Sequence, residues 1–241
     1  MALWAMKLAT ARPVVSTLAV LGSPHGVRQG PAEPKIALTF DDGPHPEYTP
    51  AVLDVLDREG AKATFFVVGR FVDEHPEIVK EARRRGHEIG THLHSHERDT
   101  VDDEERFAAE VERCKATLED LLGEPLRWLR FPYGRAGRQR RDDVERRWGV
   151  RVAHWTASSH DSKEPDSAAI VRRATEALRP GAILLFHDRL SDGDEVKPPY
   201  VPKRDASIAA LGEVIRTAKA RGLSAVTMSE LLWDGGPSGG G

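Results

Sequence analysis

The chain has 241 residues, enough to bury one sizeable core. Charged residues make up 30% of it, yet acids and bases nearly cancel to a net charge of -3, which excludes the basic footprint of a nucleic-acid binder. The lone Cys114 excludes an internal disulfide, and no apolar run approaches the ~20 residues that span a bilayer.

In chain order, residues 1–34 read as a leader or disordered segment. Lys7 and Arg12 precede the short apolar stretch Pro13–Gly22, a weak export signal interrupted by Pro, Ser and Thr, and the segment ends in Gly30-Pro31-Ala32-Glu33-Pro34. One domain follows over 35–232. Apolar runs predict strands at 35–40, 62–68, 87–91, 127–131, 151–156, 181–186 and 224–227. Helical patterns fall near 48–59, 74–85, 103–122, 140–147, 167–178 and 204–221. In the last of these, Ile208, Leu211, Ile215 and Ala218 share one face. In the third, Cys114 keeps step with Phe107, Val111, Leu118 and Leu121, which makes it a buried structural thiol. The mixed run Arg138 to Arg147 reads as an exposed helix face, and Arg189 to Tyr200 as a solvated polar connection, with the border of the groove as the alternative. Residues 233–241 form a Gly-rich tail. Strands alternating with helices predict an α/β fold with a parallel sheet.

Chemistry-bearing residues recur directly after the predicted strands. The first strand ends in Thr39-Phe40-Asp41-Asp42-Gly43-Pro44. Side chains alternate along a strand, so adjacent carboxylates can take different tasks, one holding a metal and one acting as a base. The third strand leads into His92-Leu93-His94-Ser95-His96, the fourth into Arg130-Phe131-Pro132-Tyr133-Gly134, and the sixth into His187-Asp188. In a parallel α/β barrel these positions meet at the C-terminal rim. Two imidazoles four residues apart with one carboxylate suit zinc and leave a position open, so Asp42, His92 and His96 form a candidate metal triad. A solvated His-rich surface loop is the alternative for the histidines alone. Cobalt, manganese or nickel fit the same donors. His87, at the start of its strand, reads as structural. Asp41 is then the candidate general base, Arg130 the group that orients it, and His187 the candidate general acid.

In order and spacing these motifs resemble the polysaccharide deacetylases, that is, carbohydrate esterase family 4 with its NodB-homology domain. The resemblance covers roughly residues 35–232. It implies a distorted (β/α)7 barrel similar to a TIM barrel, and the same three metal ligands. It further implies an oxyanion donor at the Tyr133 amide, an acetyl-methyl pocket lined by Leu185, and a carboxylate, here Asp161, paired with His187. The chain departs from the family at its fourth motif. Many members carry Asp-x-x-Asp-Trp there, whereas this chain has Ser158-Ser159-His160-Asp161-Ser162, so the pocket Trp is missing. Trp155 reads as a core residue. His94 stands where an aromatic residue is usual, and a fourth ligand, a partner of a ligand and a substrate contact all remain open for it.

The implied activity is metal-dependent removal of acetyl groups from N-acetylated amino sugars, in chitin-like oligomers or peptidoglycan, so the expected partner is an acetylated glycan. Alternatives are an O-acetyl esterase on xylan-type polymers, a C–N hydrolase on a small non-sugar amide, and a non-catalytic carbohydrate-binding protein. A glycan substrate favours an extracellular or cell-envelope location.

Overall fold

The computed structural model of the chain describes residues 26–135, 138–190, 200 and 203–232. Residues 1–25 of the leader expected over 1–34, most of the loop after Arg189 and the tail over 233–241 lie outside the described residues. The strands are β1 (Lys35–Asp41), β2 (Ala63–Val67), β3 (Glu88–Thr91), β4 (Trp128–Leu129), β5 (Arg151–Val152), β6 (Ala157–Ser158), β7 (Ile183–His187) and β8 (Ser224–Val226). They pair in parallel in the order β5-β4-β3-β2-β1-β7-β6, with β8 against the first residues of β1. The sheet curls into the distorted seven-unit barrel that the sequence implies.

Strand periodicity explains both faces of this sheet. Ile36, Leu38 and Phe40 face outward into the large core beneath the helices, while Ala37, with Phe66, Trp128 and Ile183, belongs to a separate apolar cluster within the curl. Register then carries the inner face toward the rim: Ala37 pairs with Ile183, Thr39 with Leu185 and Asp41 with His187. The inner row of β1 and β7 therefore runs from apolar side chains to a carboxylate and an imidazole within five residues.

The helices are α1 (Tyr48–Arg58), α2 (Gly69–Glu74), α3 (Pro76–Arg84), α4 (Glu104–Leu122), α5 (Arg138–Trp148), α6 (Ser167–Glu176), α7 (Asp205–Ala220) and α8 (Met228–Leu231). The helix expected over 74–85 is α3, and the short α2 before it is not among the expected elements; Pro76 separates the two by holding His75 out of helical geometry (φ -137, ψ 54). On α4, Phe107, Val111, Cys114 and Leu118 are buried as their spacing predicts, and burial pushes the Cys114 thiol up to about 12. The exposed face of α5 is tied to α4 by Arg147 and Glu112 at 3.0 Å. His87 is structural: its Nδ1 accepts the Ala63 N–H at 3.3 Å, and burial lowers its pKa to about 4. Among the described residues no helix is long and apolar enough to cross a membrane.

Two expectations need correction. The strand predicted over 151–156 splits. Ala153 still donates its N–H to Leu129, but Thr156 donates to Ile183, so the chain crosses here from one edge of the sheet to the other. Residues 26–34 also do not behave as a leader. Val27 is buried and exchanges backbone hydrogen bonds with Val152 and His154, and the Gly30 N–H reaches Gly181. This segment fills the seam between β5 and the start of β7. Its short, Gly- and Pro-containing sequence carries no strand period, which is why the sequence reading leaves it out.

Candidate active site

The rim encloses an open cleft of ≈ 580 Å³, whose lining includes Asp41, Asp42, His92, His96, Tyr133, Trp155, Leu185 and His187. Asp41 continues the inner row of β1. Asp42 would by alternation face outward, but its left-handed backbone (φ 76) turns it back into the same cleft. His96 (φ 61), Tyr133 (φ 59) and His160 (φ 59) share this uncommon conformation, so four lining residues sit on backbone that non-glycine residues rarely adopt.

Asp42 Oδ1 lies 3.4 Å from His92 Nε2 and 3.2 Å from His96 Nε2, and all three donor atoms fall within 4.8 Å of one another. Ligand bonds of ~2.0–2.1 Å to a tetrahedral ion place donor atoms roughly 3.3 Å apart, so this triad fits such an ion. The tautomer agrees with ligation. His92 Nδ1–H can donate to the Arg130 carbonyl at 2.8 Å, which leaves the Nε2 lone pair facing Asp42. Burial would raise the pKa of Asp42, but the nearby charges of His96 and His187 help to hold it well below the ordinary range. His94 is not part of this set. Its backbone N–H binds Glu110, and its ring approaches Asp73 at 3.8 Å, on the side of α2 and α4.

On one flank, Asp41 Oδ1 accepts from Arg130 Nη1 at 2.7 Å. Arg130 is fully buried. The same nitrogen reaches Thr39 Oγ1 at 2.8 Å, Nη2 reaches the His154 carbonyl at 2.9 Å, and the guanidinium lies 4.0 Å from the Phe66 ring centre. Backbone, aromatic face and hydroxyl thus fix the guanidinium, which in turn fixes Asp41 with Oδ2 left over.

On the other flank, His187 Nδ1 meets Asp161 Oδ1 at 2.8 Å, and the His187 N–H donates to Asp161 Oδ2 at 2.9 Å. Ser207 Oγ on α7 and Ser159 Oγ donate to the same carboxylate at 2.8 and 3.0 Å. Burial alone would lower the pKa of His187, but the charge and hydrogen bond of Asp161 override it and raise it to about 9. The geometry therefore places Asp161 beside His187 as the family resemblance implies. Ser207, Ser159 and Thr39 were missed in the sequence, because hydroxyls far apart along the chain carry no spacing signal.

Behind the rim, Asp188 is buried against the Gly43-Pro44 turn. Thr49 donates to its Oδ2 at 2.5 Å, and burial raises its pKa to about 7. A Cβ on Gly43 would meet that carboxylate at 2.4 Å, so only glycine fits directly after Asp42.

Trp155 packs against the inner apolar cluster, as its expected core role requires, and also reaches the cleft. It is half-buried, lines the cleft and stacks on His154 with ring centres 4.1 Å apart. It presents an aromatic wall on the cleft that Leu185 also lines and where the fourth motif lacks its Trp.

Residues 28–153 match the family model described as polysaccharide deacetylase. The chain belongs to the polysaccharide deacetylase family. A chitooligosaccharide deacetylase of Azorhizobium caulinodans is 32% identical over 210 residues, spanning 86% of this chain and 98% of that protein. A peptidoglycan-N-acetylglucosamine deacetylase of Bacillus cereus is 33% identical over 82% of this chain and 87% of its own length. The crystal structure of the Bc1960 peptidoglycan N-acetylglucosamine deacetylase superposes with a TM-score of 0.75 at 29% identity, over 85% of this chain and 91% of that one. In this polysaccharide deacetylase-family chain, an Asp-His-His donor set that could hold a metal ion and both flanking pairs are present together.

Proposed function

We propose that this chain is a metal-dependent deacetylase of N-acetylated amino sugars. The observation that carries this reading is the convergence in one cleft of an Asp-His-His donor set with an Arg-held carboxylate on one side and an Asp-held imidazole on the other. The similar proteins named as chitooligosaccharide and peptidoglycan deacetylases support it.

Asp42, His92 and His96 would hold the ion, and two imidazoles with one carboxylate make zinc the first choice, with cobalt, manganese or nickel able to substitute. Bound there, a divalent ion supplies an electrophile for the acyl oxygen and lowers the pKa of water from ~15.7 toward ~7. Asp41, held by Arg130, takes a proton from the attacking water as its oxygen bonds to the acetyl carbon. The Tyr133 amide donates to the oxyanion that develops. His187, protonated and oriented by Asp161, gives its Nε2 proton to the sugar nitrogen as the C–N bond breaks. The products are acetate and the free amine. Leu185 and Trp155 form the apolar wall that seats the acetyl methyl group.

Acetate release from N-acetylglucosamine oligomers, acetylated xylan and small amides, on chelated and then zinc-restored protein, tests this reading. Zinc-dependent release from the amino-sugar oligomers is expected. Release from xylan alone would replace the reading with an O-acetyl esterase, and release from small amides alone with a non-sugar C–N hydrolase.

A further inference from the structure

Among the described residues two arginines are fully buried, Arg130 and Arg204. Taking a cation out of water is costly unless fixed partners offset the loss, so each needs a reason to be inside. Arg130 holds Asp41 at 2.7 Å. Arg204 has no part in the steps above, yet it occupies the corresponding place on the opposite flank. It stands at the head of α7, where its Nη1 donates to the Asp161 carbonyl at 3.1 Å and lies 3.6 Å from Asp161 Oδ2. Ser207, three residues on and so on the same face of the first turn, donates to that Oδ2 at 2.8 Å. One helix end therefore brings a charge and a hydroxyl to the carboxylate whose Oδ1 meets His187 Nδ1 at 2.8 Å. Neither side chain of the Arg204–Asp161 pair is exposed, so solvent screens little of their attraction.

The neighbouring charges fix what this cation does. His187 feels Asp161 from the turn after β6 and Asp41 and Asp42 from the end of β1. Arg204 feels Asp161, Asp42, Tyr48 of α1 and Asp188 after β7. Burial works against the charge of Arg204, the facing carboxylates oppose that, and a guanidinium stays cationic at neutral pH. While His187 is protonated, Asp161 has its counterion in the imidazolium. Once the Nε2 proton has passed to the leaving amine the ring is neutral, and only a second cation keeps the buried carboxylate from standing alone. That cation also repels the imidazolium that precedes transfer. We infer that Arg204 is a positioning residue for the general acid: acting through Asp161, it holds that carboxylate in place and stabilises the state that follows proton donation, which makes His187 the stronger acid. The inference rests on the deacetylase reading only for the amine that receives the proton.

The test reads the His187 ring by NMR in chelated protein and turnover in zinc-loaded protein. Arg204→Gln should raise the ring midpoint above that of the unaltered protein by ~1 pH unit or more, the effect of removing a nearby like charge. Arg204→Lys keeps the charge and should return the midpoint to that of the unaltered protein. Loss of packing alone would loosen Asp161 and lower the midpoint, so the two causes have opposite signs. On N-acetylglucosamine oligomers, Arg204→Gln should lower kcat ~10-fold, part of the ~10²–10⁴ that a general acid supplies, with KM little changed and the alkaline limb displaced upward. In the unaltered protein the Arg204 Cζ signal should titrate with the His187 ring, so the coupling is read even where a variant fails to fold. A midpoint that stays or falls in Arg204→Gln, or an Arg204 signal that is flat while His187 titrates, would overturn the inference. A raised midpoint with unchanged kcat would overturn its link to proton donation. A raised midpoint, with no acetate released from any glycan by the unaltered protein, would uphold the role of Arg204 at the pair and remove the deacetylase reading.

Discussion

Replacing Asp161 with Asn should move the titration of His187 further than any other single change in the cleft. The imidazole is buried and would by that fact alone titrate below its ordinary 6.5, yet the facing carboxylate raises it to about 9. At ~1.4 kcal/mol for each tenfold change in proton affinity, the rise amounts to about 3 kcal/mol of preference for the imidazolium. Without the charge and hydrogen bond of Asp161, burial is opposed only by the charges of Asp42 and Asp41, and the midpoint should fall well below 9. At pH 7.5 the acid form, nearly all of the unaltered protein, would then become a smaller fraction, and kcat/KM would fall with it. Two assays read this. NMR titration of the His187 ring in chelated protein, assigned with His187→Gln, should give a midpoint near 9 that collapses in Asp161→Asn. The alkaline limb of kcat/KM for the zinc-loaded enzyme should shift the same way. There the added positive charge pulls the unaltered enzyme's limb below 9, so the comparison between the two proteins is decisive. An unchanged ring midpoint in the variant would refute the reasoning, since no other described group both bonds and charges the ring.

The same pair links folding to pH: its stabilisation is fully present below 6.5 and lost as pH rises through about 9, so the difference in melting temperature between the unaltered protein and Asp161→Asn should shrink from pH 6 to pH 9.5. Asp41→Asn should retain bound metal and lose ~10²–10⁴ of turnover, the range of a general base, while His92→Ala should lose both, and metal content that survives in His92→Ala would unseat the ligand assignment. Gly43→Ala forces a methyl group to within 2.4 Å of the Asp188 carboxylate and should cost ~1–3 kcal/mol by urea unfolding, with weaker zinc retention because Asp42 is the next residue. Val27→Ala removes two buried methyl groups at ~0.8 kcal/mol each, so a urea midpoint equal to that of the unaltered protein would show that the seam segment carries no weight.

The parts of the molecule legible in the sequence are those governed by local period. The apolar runs that became β1, β2 and β7 and the faces of α4 and α7 follow the 2.0 and 3.6 spacings, and strand-end motifs mark the rim wherever a strand is long enough to announce itself. Asp41, Arg130 and His187 meet because each ends or follows such a strand. What escaped was set by contacts distant in sequence. Ser207 touches Asp161 only because α7 packs there, and the β5 to β6 crossing is invisible in a run that reads as one strand. Trp155 reads as core on hydrophobicity alone, and only the crossing brings it to the cleft. His94 lies between two residues of the metal set, yet Leu93 at φ 66 helps turn the chain so that its ring leaves them.

The seam has a consequence for solubility. A parallel sheet that curls without closing leaves two unpaired edges, each able to template another chain, and very short edge strands are one of the few devices that blunt them. Here the edges are the two-residue strands β5 and β6, adjacent in sequence, so their own connection bridges most of the opening. Residues 26–30 cover the remainder with backbone partners on both sides. Detaching that strip would bare main-chain donors and acceptors along the opening before it disturbed any residue of the cleft. Self-association should therefore be the earliest symptom of damage at this end of the chain, ahead of any loss of metal.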